Sequence, residues 1–191
     1  MKQVREKLIL VTGGVRSGKS SFAESLAGKL GDNITFIATA QALDREMGER
    51  IAQHRAGRPI HWKTIEEPYQ VEQIINEVGS KTDVILVDCL TLLVSNLMQD
   101  YGEEVFNRSL ADEIMKVIDR ITGASLQCRG TVIIVSNEVG LGLVPANPMG
   151  RFFRDILGKA NQKIAAQADR VYLLVAGIPM QIKGNRHEKD Y

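Results

Sequence analysis

Gly13-Gly14-Val15-Arg16-Ser17-Gly18-Lys19-Ser20 decides the fold, because it fits the spacing G-x-x-x-x-G-K-[ST] of a phosphate-cradling loop. Glycines let consecutive backbone N–H groups turn toward one anion. Lys19 has the reach for β- and γ-phosphates, and the Ser20 hydroxyl can ligate Mg²⁺. Such a loop needs a strand before it and a helix after it. Leu8-Ile9-Leu10-Val11 is an apolar run suited to a buried parallel strand, and Ser20 to Leu30 carries Phe22, Leu26 and Leu30 at helical spacing. The loop is therefore read as a nucleoside triphosphate site.

Working outward, Ile34 to Ala38 reads as a second strand after the turn residues Gly31-Asp32-Asn33. Asp44 caps a helix running to about Ala56, with Met47, Ile51 and His54 on one face. Gly57 and Arg58-Pro59 stop that helix, and Ile60 to Thr64 alternates as an edge strand with Ile60 and Trp62 on its apolar side. A helix is expected over Pro68 to Val78, then a strand over Val84-Ile85-Leu86-Val87-Asp88. Asp88 ends that strand, where open α/β sheets bind ligands, so it can reach Mg²⁺ as the acid of a phosphate-loop enzyme or cap the next helix. Helices follow over Leu90 to Gln99 and Glu103 to Thr122, then a strand over Thr131 to Val135. It runs into the polar loop Ser136-Asn137-Glu138-Val139-Gly140-Leu141-Gly142, expected to line the site. A helix over Met149 to Ala168, a strand over Val171 to Val175, a turn at Gly177 and a short last strand complete the pattern. The tail from about Gly184 is expected to fray. Alternating strands and helices give an α/β class, a phosphate-loop NTPase-like, mostly parallel sheet with helices on both faces.

The 191 residues suit one nucleotide-binding catalytic domain spanning 1–191. A hydrophobic share of 44% and a formal net charge of +1 leave no electrostatic footprint for nucleic acid or a membrane surface. Cys89 and Cys128 have no neighbours at metal-ligand spacing, so reduced thiols in a cytoplasmic protein are the expectation. The apolar run after Lys7 is too short for a signal-peptide core or a membrane span.

Beyond the loop, the chain resembles one family: the bifunctional adenosylcobinamide kinase / adenosylcobinamide-phosphate guanylyltransferase of cobalamin assembly. The resemblance is carried by Phe36-Ile37-Ala38-Thr39, by Asp44-x-Glu46-Met47-x-x-Arg50-Ile51-x-x-His54-x-x-x-Arg58-Pro59-x-x-Trp62-x-Thr64-x-Glu66, and by Asp88-Cys89-Leu90-Thr91. Ser136-Asn137-Glu138-Val139-Gly140-x-Gly142-x-Val144-Pro145 and Arg151-x-Phe153-Arg154-Asp155-x-x-Gly158-x-x-Asn161-Gln162 extend it, so that it covers about Leu8 to Lys183.

The resemblance implies two reactions. A γ-phosphoryl group passes from ATP or GTP to the aminopropanol hydroxyl of adenosylcobinamide; GMP then passes from GTP to that phosphate, with loss of pyrophosphate, through a GMP–histidine intermediate. The matching histidine is His54, whereas spacing alone favours a solvated residue near a helix C-terminus. The resemblance also implies nucleotide contacts at Ala38, Thr39, Ala40, Arg55, Ala56, Gly57, Arg58, Glu66 and Asp88, beside Gly13 to Ser20, with Ser20 and Asp88 as Mg²⁺ ligands and Lys19 and His54 as catalytic residues. Arg55 and Arg58 suit phosphate oxygens, although they also read as solvated arginines at a helix end. Glu66 can accept from guanine or ribose, or supply N-terminal charge before Pro68. A homotrimer is implied as well. Two other functions fit parts of the pattern. A phosphate-loop kinase of another small molecule leaves His54 idle, and a non-catalytic GTP-dependent switch lacks an N-K-x-D segment.

Overall fold

The computed structural model describes residues 6–99 and 106–184. The expected fraying of the tail falls on 185–191, outside the described residues. Among the described residues seven strands form one sheet: β1 (Leu8–Gly13), β2 (Ile34–Ala38), β3 (Lys63–Glu66), β4 (Val84–Asp88), β5 (Thr131–Val135), β6 (Arg170–Val175) and β7 (Ile178–Lys183). Their spatial order is β3-β2-β4-β5-β1-β6-β7. The first six run parallel, and only β7 is antiparallel, joined to β6 by a tight turn. The helices are α1 (Lys19–Leu30), α2 (Arg45–Ala56), α3 (Val71–Val78), α4 (Leu90–Gln99), α5 (Arg108–Gln127) and α6 (Pro148–Gln167).

Unbroken apolar runs become strands here because both faces of the sheet are covered, so alternate side chains enter two different cores. Leu8, Leu10, Ile85, Val87, Val132 and Ile134 pack against α3, α4, α5 and α6. Ile9, Val11, Phe36, Leu86, Ile133 and Val135 face the other way, onto Ala23, Leu26 and Ala27 of α1 and onto Trp62. The described side chains of α2 enter neither core.

Parallel pairing also aligns the strand ends. Glu66 sits opposite Ala38, Ala38 opposite Asp88, Asp88 opposite Val135, Val135 opposite Val11, and Val11 opposite Tyr172. One level of the carboxyl edge thus carries the ends of β2, β3, β4 and β5, with β1 and β6 running two and three residues further, and this edge is where ligands bind in open α/β sheets.

Three boundaries differ from the sequence reading. The third strand is Lys63–Glu66 rather than Ile60 to Thr64. Trp62 N–H donates to the Pro59 carbonyl at 3.0 Å, so these residues form a turn that buries Trp62 and leaves Ile60 exposed. The third helix starts at Val71, because the Glu67 carboxylate accepts from the amides of Tyr69 and Gln70 at 2.9 Å each and holds a turn ahead of the helix. The long fifth helix, expected over Glu103 to Thr122, runs from Arg108 to Gln127, started by Asn107, whose side chain accepts from Leu110 N–H at 3.1 Å; residues 103–105 lie outside the described residues. Asp44 caps α2 as its sequence position suggests, accepting from Met47 N–H at 2.7 Å.

Candidate active site

Between β1 and α1 the loop folds against the turn that joins β6 to β7. Gly13 has φ +150°, and a Cβ there would lie 2.4 Å from the Leu174 carbonyl oxygen. Gly18 has φ +90° and packs on Gly177, whose amide donates to the Ser17 carbonyl at 3.0 Å. Two backbones approach too closely for side chains, so both glycines are required. Glu138 N–H donates to the Gly13 carbonyl at 2.9 Å, tying the loop to the segment after β5. No side chain caps α1 at Gly18, and its first turn holds no acid, which leaves amides and the helix dipole for an anion. Lys19 is 7% exposed, and its ammonium donates to the Gly14 carbonyl at 2.6 Å.

The loop forms one wall of a cavity of about 720 Å³ at the sheet's carboxyl edge. Val15, Arg16, Ser17, Gly18, Lys19 and Ser20 line that wall. Ala38 and Ala40 line it from the end of β2, and Asp88 from the end of β4. Met47, Glu49 and Ile51 close over it from α2, and Arg58 enters beside them. Ser20 and Asp88, one hydroxyl and one carboxylate, therefore face the same space. Among the described residues no group of three or more His, Cys, Asp or Glu could hold a metal. The pair fits a hard cation of the Mg²⁺ type, which takes most of its shell from substrate phosphates and water.

Arg58, two residues past the end of α2, is set by contacts far from it along the chain. Its guanidinium carbon lies 3.5 Å from the centre of the Phe36 ring, and its Nε is buried without a hydrogen-bond partner among the described residues. Burial pulls its pKa below the ordinary value, while the charges of Glu24 and Asp88 oppose that shift. Glu24, half-buried on α1, is held above the usual carboxylate range by burial first, with Arg58 opposing. Beside Asp88, burial and the Asp88 charge push the Cys89 thiol up to about 11, so it stays protonated at neutral pH.

The remaining expected positions fall outside the cavity wall. Gly14 shapes the loop. Thr39 is wholly buried and bonds through its hydroxyl to both backbone groups of Cys89. Arg55 and Glu66, both exposed, form a pair at 3.5 Å on the rim. Ala56 and Gly57 are exposed at the end of α2. His54 is part of α2, but its side chain lies outside the described positions. The sequence reading missed Glu24, which is thirty-four residues from Arg58 along the chain and has only an ordinary helical acid as its signal. It placed Asn137 by position alone, and Asn137 lines the cavity from the end of β5.

The family model described as cobinamide kinase / cobinamide phosphate guanyltransferase matches residues 9–182. The bifunctional adenosylcobalamin biosynthesis protein CobU of Escherichia coli (strain K12) is 42% identical over 181 residues, covering 92% of this chain and 99% of that protein. The Pseudomonas aeruginosa protein CobP, named in the same words, is 44% identical, covering 92% of this chain and 96% of its own. Among solved structures the RadB recombinase gives a TM-score of 0.48 at 13% identity over 87% of this chain and 73% of that one, a likeness too loose to speak for function. With a family model spanning nearly all of its strands and relatives matched from end to end, the chain belongs to the cobinamide kinase / cobinamide phosphate guanylyltransferase family.

Proposed function

We propose that the chain phosphorylates the aminopropanol hydroxyl of adenosylcobinamide with ATP or GTP, then guanylylates the product from GTP. The observation that carries this reading is the meeting of Lys19, Ser20, Asp88 and the α2 helix around one cavity. In the first reaction the substrate hydroxyl attacks the γ-phosphorus, the bond to the β-phosphate oxygen breaks, and the nucleoside diphosphate leaves. Lys19 exchanges its bond to the Gly14 carbonyl for β- and γ-oxygens, and the open amides at the start of α1 hold the same charge. Ser20 and Asp88 would hold Mg²⁺, which neutralises charge on the phosphates when bound.

In the second reaction a neutral His54 imidazole nitrogen attacks the α-phosphorus of GTP, and pyrophosphate leaves from the cradle. A phosphate oxygen of adenosylcobinamide phosphate then attacks the phosphoramidate, so that the P–N bond breaks and His54 is restored. The α2 helix brings Met47, Glu49 and Ile51 to the cavity, and His54 lies on the same helix. On this reading Arg55 and Arg58 receive phosphate oxygens and Glu66 receives the guanosine, with Ala38 and Ala40 forming a close floor. Ala56 and Gly57 complete the nucleotide contacts, and Thr39 contributes by fixing the backbone beside Asp88. The enzyme works in the cytoplasm, in keeping with two free cysteines, and as a homotrimer. Exposed Ile178, Met180 and Ile182 along the edge strand β7 supply an apolar surface for a second copy, and light scattering measures the state.

The test is GTP labelled at the α- or the γ-phosphate, incubated with the protein and Mg²⁺ and then denatured. Acid-labile label retained from α but not from γ is expected, and its loss in His54→Ala. Label that persists in His54→Ala refutes the nucleophile, and a wild type that holds none refutes guanylylation through the protein.

A further inference from the structure

The segment between β5 and α6 is built unlike the nucleotide side of the cavity. At its root, the Asn137 amide donates to the Thr91 hydroxyl at 2.8 Å, and the Asn137 carbonyl accepts from the Asn161 carboxamide at 3.0 Å. Asn161 is itself fixed by the Ser136 hydroxyl at 2.6 Å. Both backbone groups of Asn137 are thus occupied, which leaves its carboxamide for the cavity that the residue lines. Because β5 lies between β1 and β4, this carboxamide emerges between the phosphate loop and Asp88.

Past Asn137 the chain turns outward and becomes apolar. Leu141 is 86% exposed, Leu143 96% and Val144 66%. Single exposed apolar residues mean little, but three within four residues form a patch. The patch is also held in place. The Glu138 carboxylate accepts from Gly140 N–H at 2.7 Å, and the Arg151 guanidinium donates to the carbonyls of Pro145 and Ala146 at 3.1 and 2.6 Å.

Resting on the proposed function, we infer that this segment is the acceptor side of the site: Asn137 holds the reacting oxygen of the aminopropanol arm, and Leu141, Leu143 and Val144 receive the corrinoid ring. The chemistry matches in its parts. A corrinoid is a broad macrocycle with an alkylated, largely apolar rim and one long arm that ends in the reacting hydroxyl. A ring of that size exceeds what a triphosphate leaves of a cavity of about 720 Å³, so it must rest outside while the arm reaches in. The patch begins four residues after Asn137, the residue of this segment that lines the cavity, so on this inference Asn137 marks the point of entry.

The half-reactions allow a clean test. Labelling of the protein from α-labelled GTP uses no acceptor, whereas phosphorylation of cobinamide does. The paired substitution Leu141→Asp with Leu143→Asp changes two exposed side chains, so the fold should stand. The expected result is an increase of about tenfold or more in KM for cobinamide, KM for the nucleotide within about twofold, and undiminished labelling. Asn137→Ala keeps both backbone bonds of the residue and is expected to lower kcat for phosphorylation by about tenfold. An unchanged KM for cobinamide in the paired variant overturns the inference. So does a loss of labelling together with a smaller mass by light scattering, which would make the patch a contact between copies. A wild type that labels itself but does not phosphorylate cobinamide overturns the kinase reading, and this inference with it.

Discussion

The Thr39 hydroxyl donates to the Cys89 carbonyl at 2.7 Å and accepts from the Cys89 amide at 2.8 Å, so one side chain at the end of β2 satisfies both backbone groups of the residue after Asp88. The Ala38–Asp88 pairing ends at this level, and the Thr39 hydroxyl carries the tie one residue further, between Asp88 and the start of α4. Thr39→Val keeps the shape and removes both bonds, leaving the Cys89 amide unpaired while the Cys89 carbonyl keeps the Leu93 N–H at 3.2 Å. A loss of about 1–3 kcal/mol in a denaturant titration is expected, with Thr39→Ser recovering most of it. Phosphorylation should fall in Thr39→Val and return in Thr39→Ser. Equal stability of the valine variant and the wild type would show that the bonds carry nothing.

Gly13 and Gly14 are adjacent and predict opposite outcomes. A Cβ on Gly13 meets the Leu174 carbonyl at 2.4 Å at φ +150°, whereas a Cβ on Gly14 meets nothing within 4 Å. Gly13→Ala is expected to cost on the order of 3 kcal/mol and to abolish phosphorylation, because either the loop or β6 must move. Gly14→Ala is expected to fold with wild-type stability. Thermal melts of the two variants in the absence of nucleotide make the comparison.

Glu24 gives a prediction in pH. Its folded pKa lies above the ordinary value, with burial the leading cause, so its contribution to stability is full below the unfolded pKa of about 4.3 and is lost as pH rises through the folded value. Between about pH 4 and pH 7 the wild type should therefore lose more stability from this group than Glu24→Gln, which has no such titration. Urea midpoints at the two pH values give the difference. Parallel changes in both proteins would remove Glu24 from the charge balance around Arg58.

Cys89 titrates at the alkaline end. With its thiol pushed up to about 11 from an ordinary 9.0, its contribution is full below about 9 and lost as pH rises through 11. Cys89→Ala is expected to show a shallower fall in urea midpoint between about pH 8.5 and pH 10.5, whatever its starting stability. Native wild type should alkylate slowly at Cys89 with iodoacetamide near pH 8, since the thiolate is the nucleophile. Rapid alkylation of Cys89 in the folded protein would contradict the burial that raises its pKa.

The parallel core was legible because its central strands are nearly continuous apolar runs. Four apolar residues before Thr12 and four before Asp88 read as buried strands without further help. The edge strand β3 was misplaced for the same reason. Lys63–Glu66 pairs on one side only and keeps exposed charges at both ends, while the apolar alternation of Ile60 and Trp62 belongs to a turn. Within the site, the loop and Asp88 follow from spacing and strand position. The stacking of Arg58 on Phe36 and its coupling to Glu24 do not, because sheet order and the packing of α1 create them. The clamp on Asn137 was hidden too, since its partners come from α4 and α6.

Lys19 ends its reach on the Gly14 carbonyl, inside the loop it belongs to. The cradle therefore carries an internal competitor, always at full local concentration. An arriving triphosphate must exchange this bond rather than simply gain one, and a departing diphosphate or pyrophosphate finds the same bond ready to re-form. Affinity is reduced by this exchange and release is eased. On the proposed function, in which two different leaving groups depart from one cradle in each cycle, the enzyme gains turnover from a lysine that can go back to where it started.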